Sequence, residues 1–535
     1  MIAGRRLHAP QQDRAIFADP PLADLPDLLE SQIWQTAHCT RLSILGRPLS
    51  DLRRMGMATA VEAAHRYLSA AGQDVPAPAP MRVLCAGHQP EMFHPGVWVK
   101  NFALFGLASA TGMTPLNLVV DNDAAKATML YLPAWPADCQ GDPAQVTLHK
   151  VPFDISPGEA PYEEHLVMDE AAFEALPNQV GALTGNWPFR PLLPSYWSAV
   201  LEHRRRTPRL AERLVSGRRT LERQWGCQNL EVPVSRLCET EVFAWFAGHL
   251  LQELPRFHAI HNKTVRDYRK KHGLRSRNHP VPDLARDGDW YEAPLWAWRT
   301  GAARRGRLFA RIAATGLDLR VDGEAWPGLP EAGTRFTEAW QGIHRDGWKI
   351  RSRALITTLF TRQFVADTFI HGIGGGKYDE LTDELIRQFY GIEPPPFIVL
   401  SATLRLPFAG YSATQPERKK LAALVRDLVW NPQRHLDETI SPEAKTLADR
   451  KRAMLKELAN GRAIGRQRHM EFRRLTASLQ PFVQKASDQL GQELKRVDAE
   501  LQANAVLRRR DFAFCLFPEA LLRPFCQQFL KEVHG

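Results

Sequence analysis

A chain of 535 residues exceeds what one compact core organises and predicts about two to four packed units. Its 44% hydrophobic and 24% charged residues exclude wholesale disorder. The formal charge of +10 points to an anionic partner only where the surplus is gathered, and between Arg256 and Arg307 it is, with 13 Lys and Arg against 5 Asp and Glu.

The longest uncharged stretch, Asn101 to Val120, has the length of a membrane span but contains Asn101, Gly112, Pro115 and Asn117, so it predicts a buried helix, a turn and a strand. No apolar run follows Arg5 and Arg6, which leaves a secretory leader unsupported. Cys39, Cys85, Cys139, Cys227, Cys238, Cys515 and Cys526 are odd in number, widely spaced and never C-x-x-C. A reducing, cytoplasmic setting is expected, without a zinc knuckle or disulfide framework.

Residues 1–75 predict a peripheral helical segment carrying Leu42, Leu49, Leu52, Met55 and Val61, closed by the proline-rich stretch Val75 to Pro80. Residues 76–151 hold the first half of an α/β core: an apolar run Val83 to Ala86, a loop, a helix from Val97 and a second run Leu116 to Val120. Parallel strands joined by a crossover helix gather ligands at their carboxyl ends. Residues 152–349 predict an insertion of mixed helix and hairpin, rich in tryptophan and arginine. Residues 350–410 supply the second half, with a helical pattern Leu355 to Phe364, a strand Thr368 to His371, a glycine loop Gly372 to Gly376, a helix Tyr378 to Phe389 and a strand Phe397 to Leu400.

From 411 to 510 the pattern turns helical. Ser441-Pro442-Glu443 suits a helix start, and Phe472, Leu475, Leu479, Phe482, Ala486, Leu490, Leu494, Val497 and Leu501 form a long apolar stripe. Gly461 and Gly465 divide the stripe from the preceding helix, predicting an antiparallel helical hairpin whose long arm Pro481 should kink. Residues 511–535 form a tail expected to pack on the core.

Chemistry concentrates in three places. The loop from Gly87 to Gly96 presents His88, Gln89 and His94 beside a helix start, where imidazoles and backbone amides can meet an anionic group. Asp121 and Asp123, with Lys126 following, can accept a proton from an amine or hold a hard cation such as magnesium; an ordinary capping turn is the alternative. Gly374, Gly375, Gly376 and Lys377 combine open backbone amides with a positive charge, but not in Walker spacing. In the insertion, Glu292 is a candidate partner for a substrate amine, whereas Trp296 and Trp298 are expected in the core. His258 and His261 lack the H-E-x-x-H form of a zinc site.

Taken together, Gly87-His88-Gln89-Pro90 with Pro95-Gly96, the strand into Asp121-Asn122-Asp123, Gly374-Gly375-Gly376 before a helix, and the helical region closed by Leu516-Phe517-Pro518 resemble the cysteine-adding enzymes (cysteine ligases) of bacillithiol biosynthesis. The resemblance runs from about Met81 onward with sparse identities. It implies a Rossmann-like, nucleotidyltransferase-type core with inserted segments, a coiled coil that mediates dimerisation, and a reaction joining the cysteine carboxyl group to the amine of a glucosamine-malate conjugate. Gly87, His88, Gln89 and Gly96 would then belong to the first site loop, Asp121 and Asp123 to the second, and Gly374 to Lys377 to the third. The chain departs from that family at His88, where a second glutamine is usual. It has Asp121-Asn122-Asp123-Ala124 in place of a Glu-Asp-His-Asp-like run, and Lys377 where a proline and an acid are usual nearby.

The expectation is a ligase or transferase that condenses an amine with a small anionic or amino-acid metabolite. His88 and His94 would act on the departing group, Asp121 or Asp123 on the amine, and Lys377 with the glycine amides on developing negative charge. The cofactor stays open, with ATP or ADP and magnesium as candidates. The rival expectation is a non-catalytic dimeric scaffold or nucleic-acid binder using the basic insertion, whose binding would weaken steeply with salt.

Overall fold

A computed structural model describes residues 7–31, 42–77, 82–126, 128–136, 138, 141–156, 158–276, 278–436, 441–459 and 465–531. Arg5, Arg6, Cys39, Met81, Cys139, Arg277, Gly461 and the end of the proline-rich stretch lie outside the described residues. The fold is mixed α/β around a six-stranded sheet. Its strands are β1 (Ile16–Asp19), β2 (Val83–His88), β3 (Thr114–Val119), β4 (Leu230–Pro233), β5 (Thr368–His371) and β6 (Phe397–Ala402), in the order β1-β6-β5-β2-β3-β4. Only β1 runs antiparallel to its neighbour; the other four pairings are parallel.

The two predicted halves therefore meet in one sheet, β2 pairing directly with β5. Successive strand residues face opposite sides, so Val83, Cys85, Leu116, Leu118, Leu230 and Val232 enter one hydrophobic core, while Leu84, Ala86, Ile370, Ile398 and Leu400 enter the other. Two strands lie where the sequence reading expects none in the core. The N-terminal segment supplies β1 and the insertion supplies β4. Glu231 interrupts the apolar pattern of β4 yet is fully buried, its carboxylate accepting from Arg218 and Asn117 at 2.6 Å each and from Arg219 at 3.2 Å. A charge paired so completely is tolerated in the interior, but in sequence it reads as a surface residue.

The helix Pro95–Ala110 links β2 to β3 and is buried along most of its length, with proline at its first position. Its close approach to β6 requires Gly96, since a Cβ there would run into the Ala402 carbonyl oxygen.

The insertion also builds a second, antiparallel sheet. Its strands are Glu324–Leu329, Gly316–Val321, Gly306–Ala313, Trp290–Arg299 and Trp348–Ser352, in that spatial order. Ala293, Leu295, Ala297, Leu308 and Ala310 on its inner face join the first core, so the insertion is welded to the main sheet. A helix beginning at Ala354 carries the chain from the second sheet back toward β5.

At the C-terminal end, Gln415–Trp430 and Pro442–Ala459 pack on a 42-residue helix, Arg466–Leu507, which continues through Pro481. The predicted hairpin is thus joined by a third helix, started by a capping box between Thr414 and Glu417. The tail helix Glu519–Lys531 lies against Pro95–Ala110, placing Leu522, Cys526 and Phe529 in the second core. Cys85, Cys227, Cys238, Cys515 and Cys526 are free and buried. Among the described residues, no helix is long and apolar enough to cross a membrane.

Candidate functional site

At the carboxyl ends of β2 and β3 the main sheet faces the second sheet across a cavity of about 260 Å³. Gln89 comes from the loop after β2, and Asn122 and Asp123 from the turn after β3. Trp296 and Arg305 come from the second sheet and its hairpin, and Arg353 from the start of the returning helix. His261, from the helix Leu254–Lys271, adds to the polar lining, as do Ser352 and Thr357.

These groups hold one another. Asp123 accepts from Gln89 Nε2 at 3.1 Å and pairs with Arg305 at 3.0 Å, and Arg305 also donates to the Asn122 carbonyl at 2.9 Å. Arg353 pairs with the buried Glu292 at 2.8 Å. Both guanidinium groups lie on the Trp296 ring, Arg353 at 4.1 Å and Arg305 at 4.6 Å from its centroid, within cation–π range. Burial opposes the charge of both arginines. Two buried polar atoms of the lining residues have no protein partner, Asn122 Oδ1 and Arg353 Nε. Buried polar atoms are seldom left so, and both belong to residues that line the cavity.

Of the sequence-predicted residues, Gln89 and Asp123 line this cavity; the others lie elsewhere. His88 Nδ1 donates to the Gln89 carbonyl at 3.2 Å and its ring packs edge-on against Phe93. Burial pushes its pKa down to about 3 and that of His94 down to about 4. His94 is the residue preceding the crossover helix. Gly87 leaves room for Leu118 on the adjoining strand. Its carbonyl accepts from the buried Lys100 at 3.1 Å, whose pKa burial lowers to about 8. Lys126 pairs with Glu91 at 3.0 Å and borders a neighbouring cavity with Tyr162.

The predicted glycine loop is instead the first turn of the helix Ile373–Leu385. A Cβ on Gly375 would sit 2.7 Å from His371 Nδ1 and one on Gly376 would meet Val399, so these glycines let the helix settle onto the sheet. Lys377 anchors by its carbonyl, which accepts from the Tyr268 hydroxyl at 3.0 Å. The cavity lining includes none of Gly374, Gly375, Gly376 and Lys377. Glu292 has both oxygens engaged, by Arg353 and by the Ala285 amide at 2.8 Å, which leaves it turned to its own framework and not to an amine. Asp121 lines a separate, smaller cavity.

The sequence reading assigns Asn122, His261, Trp296, Arg305 and Arg353 to no site; it expects Trp296 in the core, and the structure leaves that ring half-buried at the cavity wall. Part of the basic surplus is neutralised internally: Arg269 pairs with Asp283, Lys263 with Asp267 and Arg305 with Asp123. Among the described residues, no group of three or more His, Cys, Asp or Glu is placed to hold a metal ion. Comparison of the chain with family models and with curated proteins returned no match.

Proposed function

We propose that this chain is a ligase- or transferase-type enzyme, a divergent counterpart of the cysteine ligases, that holds a small carboxylate- or phosphate-bearing metabolite against Arg305 and Arg353 and condenses it with an amine. The observation that carries the reading is the convergence of two guanidinium groups, an acceptor-bearing Asn122 and a fixed Asp123 on one cavity at the carboxyl edge of a parallel sheet. Open α/β sheets bind ligands at that edge, and the parallel pairing with its crossover helix supports a Rossmann-like, nucleotidyltransferase-type description of the core.

Within this reading the arginines neutralise the anion and the charge that grows during condensation, an effect strengthened where water is excluded. Asp123, bonded to Gln89 and Arg305, fixes the Arg305 guanidinium at the cavity wall. His88 and His94 stay in supporting positions, shaping the loop that carries Gln89. A cavity of about 260 Å³ is smaller than the roughly 300–1,000 Å³ of drug-sized sites, which favours a compact anion over a whole nucleotide. Magnesium does not fit the carboxylates as placed, since Asp123 is committed to Arg305 and Gln89 and Asp121 to Ser235.

Calorimetric titration with succinate, inorganic phosphate and ADP tests the reading, using the wild type, Arg305→Ala and Arg353→Lys. Succinate or phosphate is expected to bind the wild type and to lose at least about tenfold in affinity in either variant, roughly 1.4 kcal/mol. Unchanged affinity in both folded variants, or no binding to the wild type, refutes it.

A further inference from the structure

A second cavity reaches the turn after β3 separately. It measures about 90 Å³ and is lined by Asp121, Ser235, Tyr162 and Lys349, among others. Val119 and Asp121 face this cavity, whereas Val120, Asn122 and Asp123 face the one that holds the arginines. Its wall residues Tyr67, Glu212, Arg236 and Glu239 also line a chamber of about 690 Å³. The small cavity therefore adjoins a larger one, and neither shares a lining residue with the anion cavity.

Asp121 is only 7% exposed, and its oxygens accept from the Ser235 amide at 2.9 Å and the Ser235 hydroxyl at 2.5 Å. Both donors are neutral. The cations of the wall are engaged elsewhere: Lys349 pairs with Glu163 at 3.1 Å, Arg236 lies 4.0 Å from Glu239 and Arg209 donates to the Glu163 carbonyl. Arg351, paired with Glu163 at 2.8 Å, offsets the Asp121 charge only in part. A buried carboxylate served only by neutral donors gains most from a counter-charge brought by a ligand. Burial, followed by the proximity of Glu163, raises its carboxyl to about 7, the Ser235 donors and Arg351 offsetting the rise only in part.

We propose that this cavity is a second ligand site, with its own entrance, that takes a protonated primary amine: the ammonium group sits beside Asp121 and the polar body of the amine occupies the outer chamber. About 90 Å³ is close to three waters' share of liquid volume, enough for an aminomethyl group. The outer chamber offers Thr59, Thr207, Thr240 and Gln341 for hydroxyl or carboxyl groups, and its wall carries Glu212, Glu239 and Glu241 alongside Arg66, Arg206 and Arg236. The two reactants of a condensation would then approach the Asp121-Asn122-Asp123 turn through separate openings. The proposal rests on the functional reading only for what the amine is for; occupancy of the cavity is measured independently.

Thermal-shift and calorimetric titrations of the full chain with ethanolamine hydrochloride provide the test, with ethylene glycol and sodium chloride as controls. Asp121→Asn removes the charge while keeping volume, and Thr59→Trp fills the outer chamber without touching Asp121. Ethanolamine is expected to stabilise the wild type saturably, as a ligand of the native state does, and ethylene glycol is not. Its affinity is expected to fall at least about tenfold in each variant, while succinate titrates as in the wild type. Equal ethanolamine binding by wild type and Asp121→Asn, equal stabilisation by ethylene glycol, or no ethanolamine binding by the wild type overturns the proposal. Loss of succinate binding by the wild type with ethanolamine binding intact would sink the anion reading alone.

Discussion

Around the carboxyl edge, the imidazoles are kept neutral by burial. His88 is pushed down to about 3, and His94 and His261 to about 4, from an ordinary value of 6.5. In the unfolded chain each takes up a proton as pH falls through 6.5, while the folded chain resists until 4 or below. Their stabilising contribution is therefore complete above pH 6.5 and is lost progressively between 6.5 and the folded values. At pH 5 each accounts for about 2 kcal/mol of lost stability. His88→Gln and His261→Gln should each shrink the drop in urea midpoint between pH 7 and pH 5, and drops equal to that of the wild type would contradict this assignment. Gln89 and Asp123 are legible in the sequence because each follows a recognisable strand end. Trp296 is not: its bulk and aromaticity read as core, whereas the inward residues of the strand Trp290–Arg299 are the smaller Ala293, Leu295 and Ala297, which turns Trp296 to the opposite face and the cavity wall.

Among elements, the parallel strands β2, β3, β5 and β6 announce themselves as short apolar runs buried on both faces. The edge strands β1 and β4 do not, being four residues each, with a charge buried in β4. Glycine runs are ambiguous in the same way, since Gly375 and Gly376 serve helix-to-sheet packing within a run that has the composition of an anion loop. The C-terminal helices raise a different question. Val429, Trp430, Met470 and Phe482 remain exposed on them, and we propose that this region carries the homodimer that the resemblance implies. Light scattering of the full chain should give twice the chain mass, falling to the chain mass in Trp430→Glu/Phe482→Glu. A mass that the double substitution leaves unchanged would remove these residues from any interface.

At the scale of the whole molecule, function depends on distant parts of the chain closing over one sheet edge. The turn after β3 meets a second sheet grown from the insertion, and Arg305 and Arg353 reach the cavity only because that sheet shares the hydrophobic core of the first. The two-half α/β plan was legible because parallel strands require crossover connections. The docking of the insertion was not, because the apolar residues that weld it to the main sheet, such as Ala293, Leu295 and Leu308, meet partners far away in sequence. The central claim is that Arg305 and Arg353 form an anion site. It is tested most directly by the anomalous difference map of a crystal soaked in selenate. The account predicts a selenium peak within hydrogen-bonding reach of both guanidinium groups; peaks confined to the basic helix Leu254–Lys271, with none beside Trp296, would contradict it.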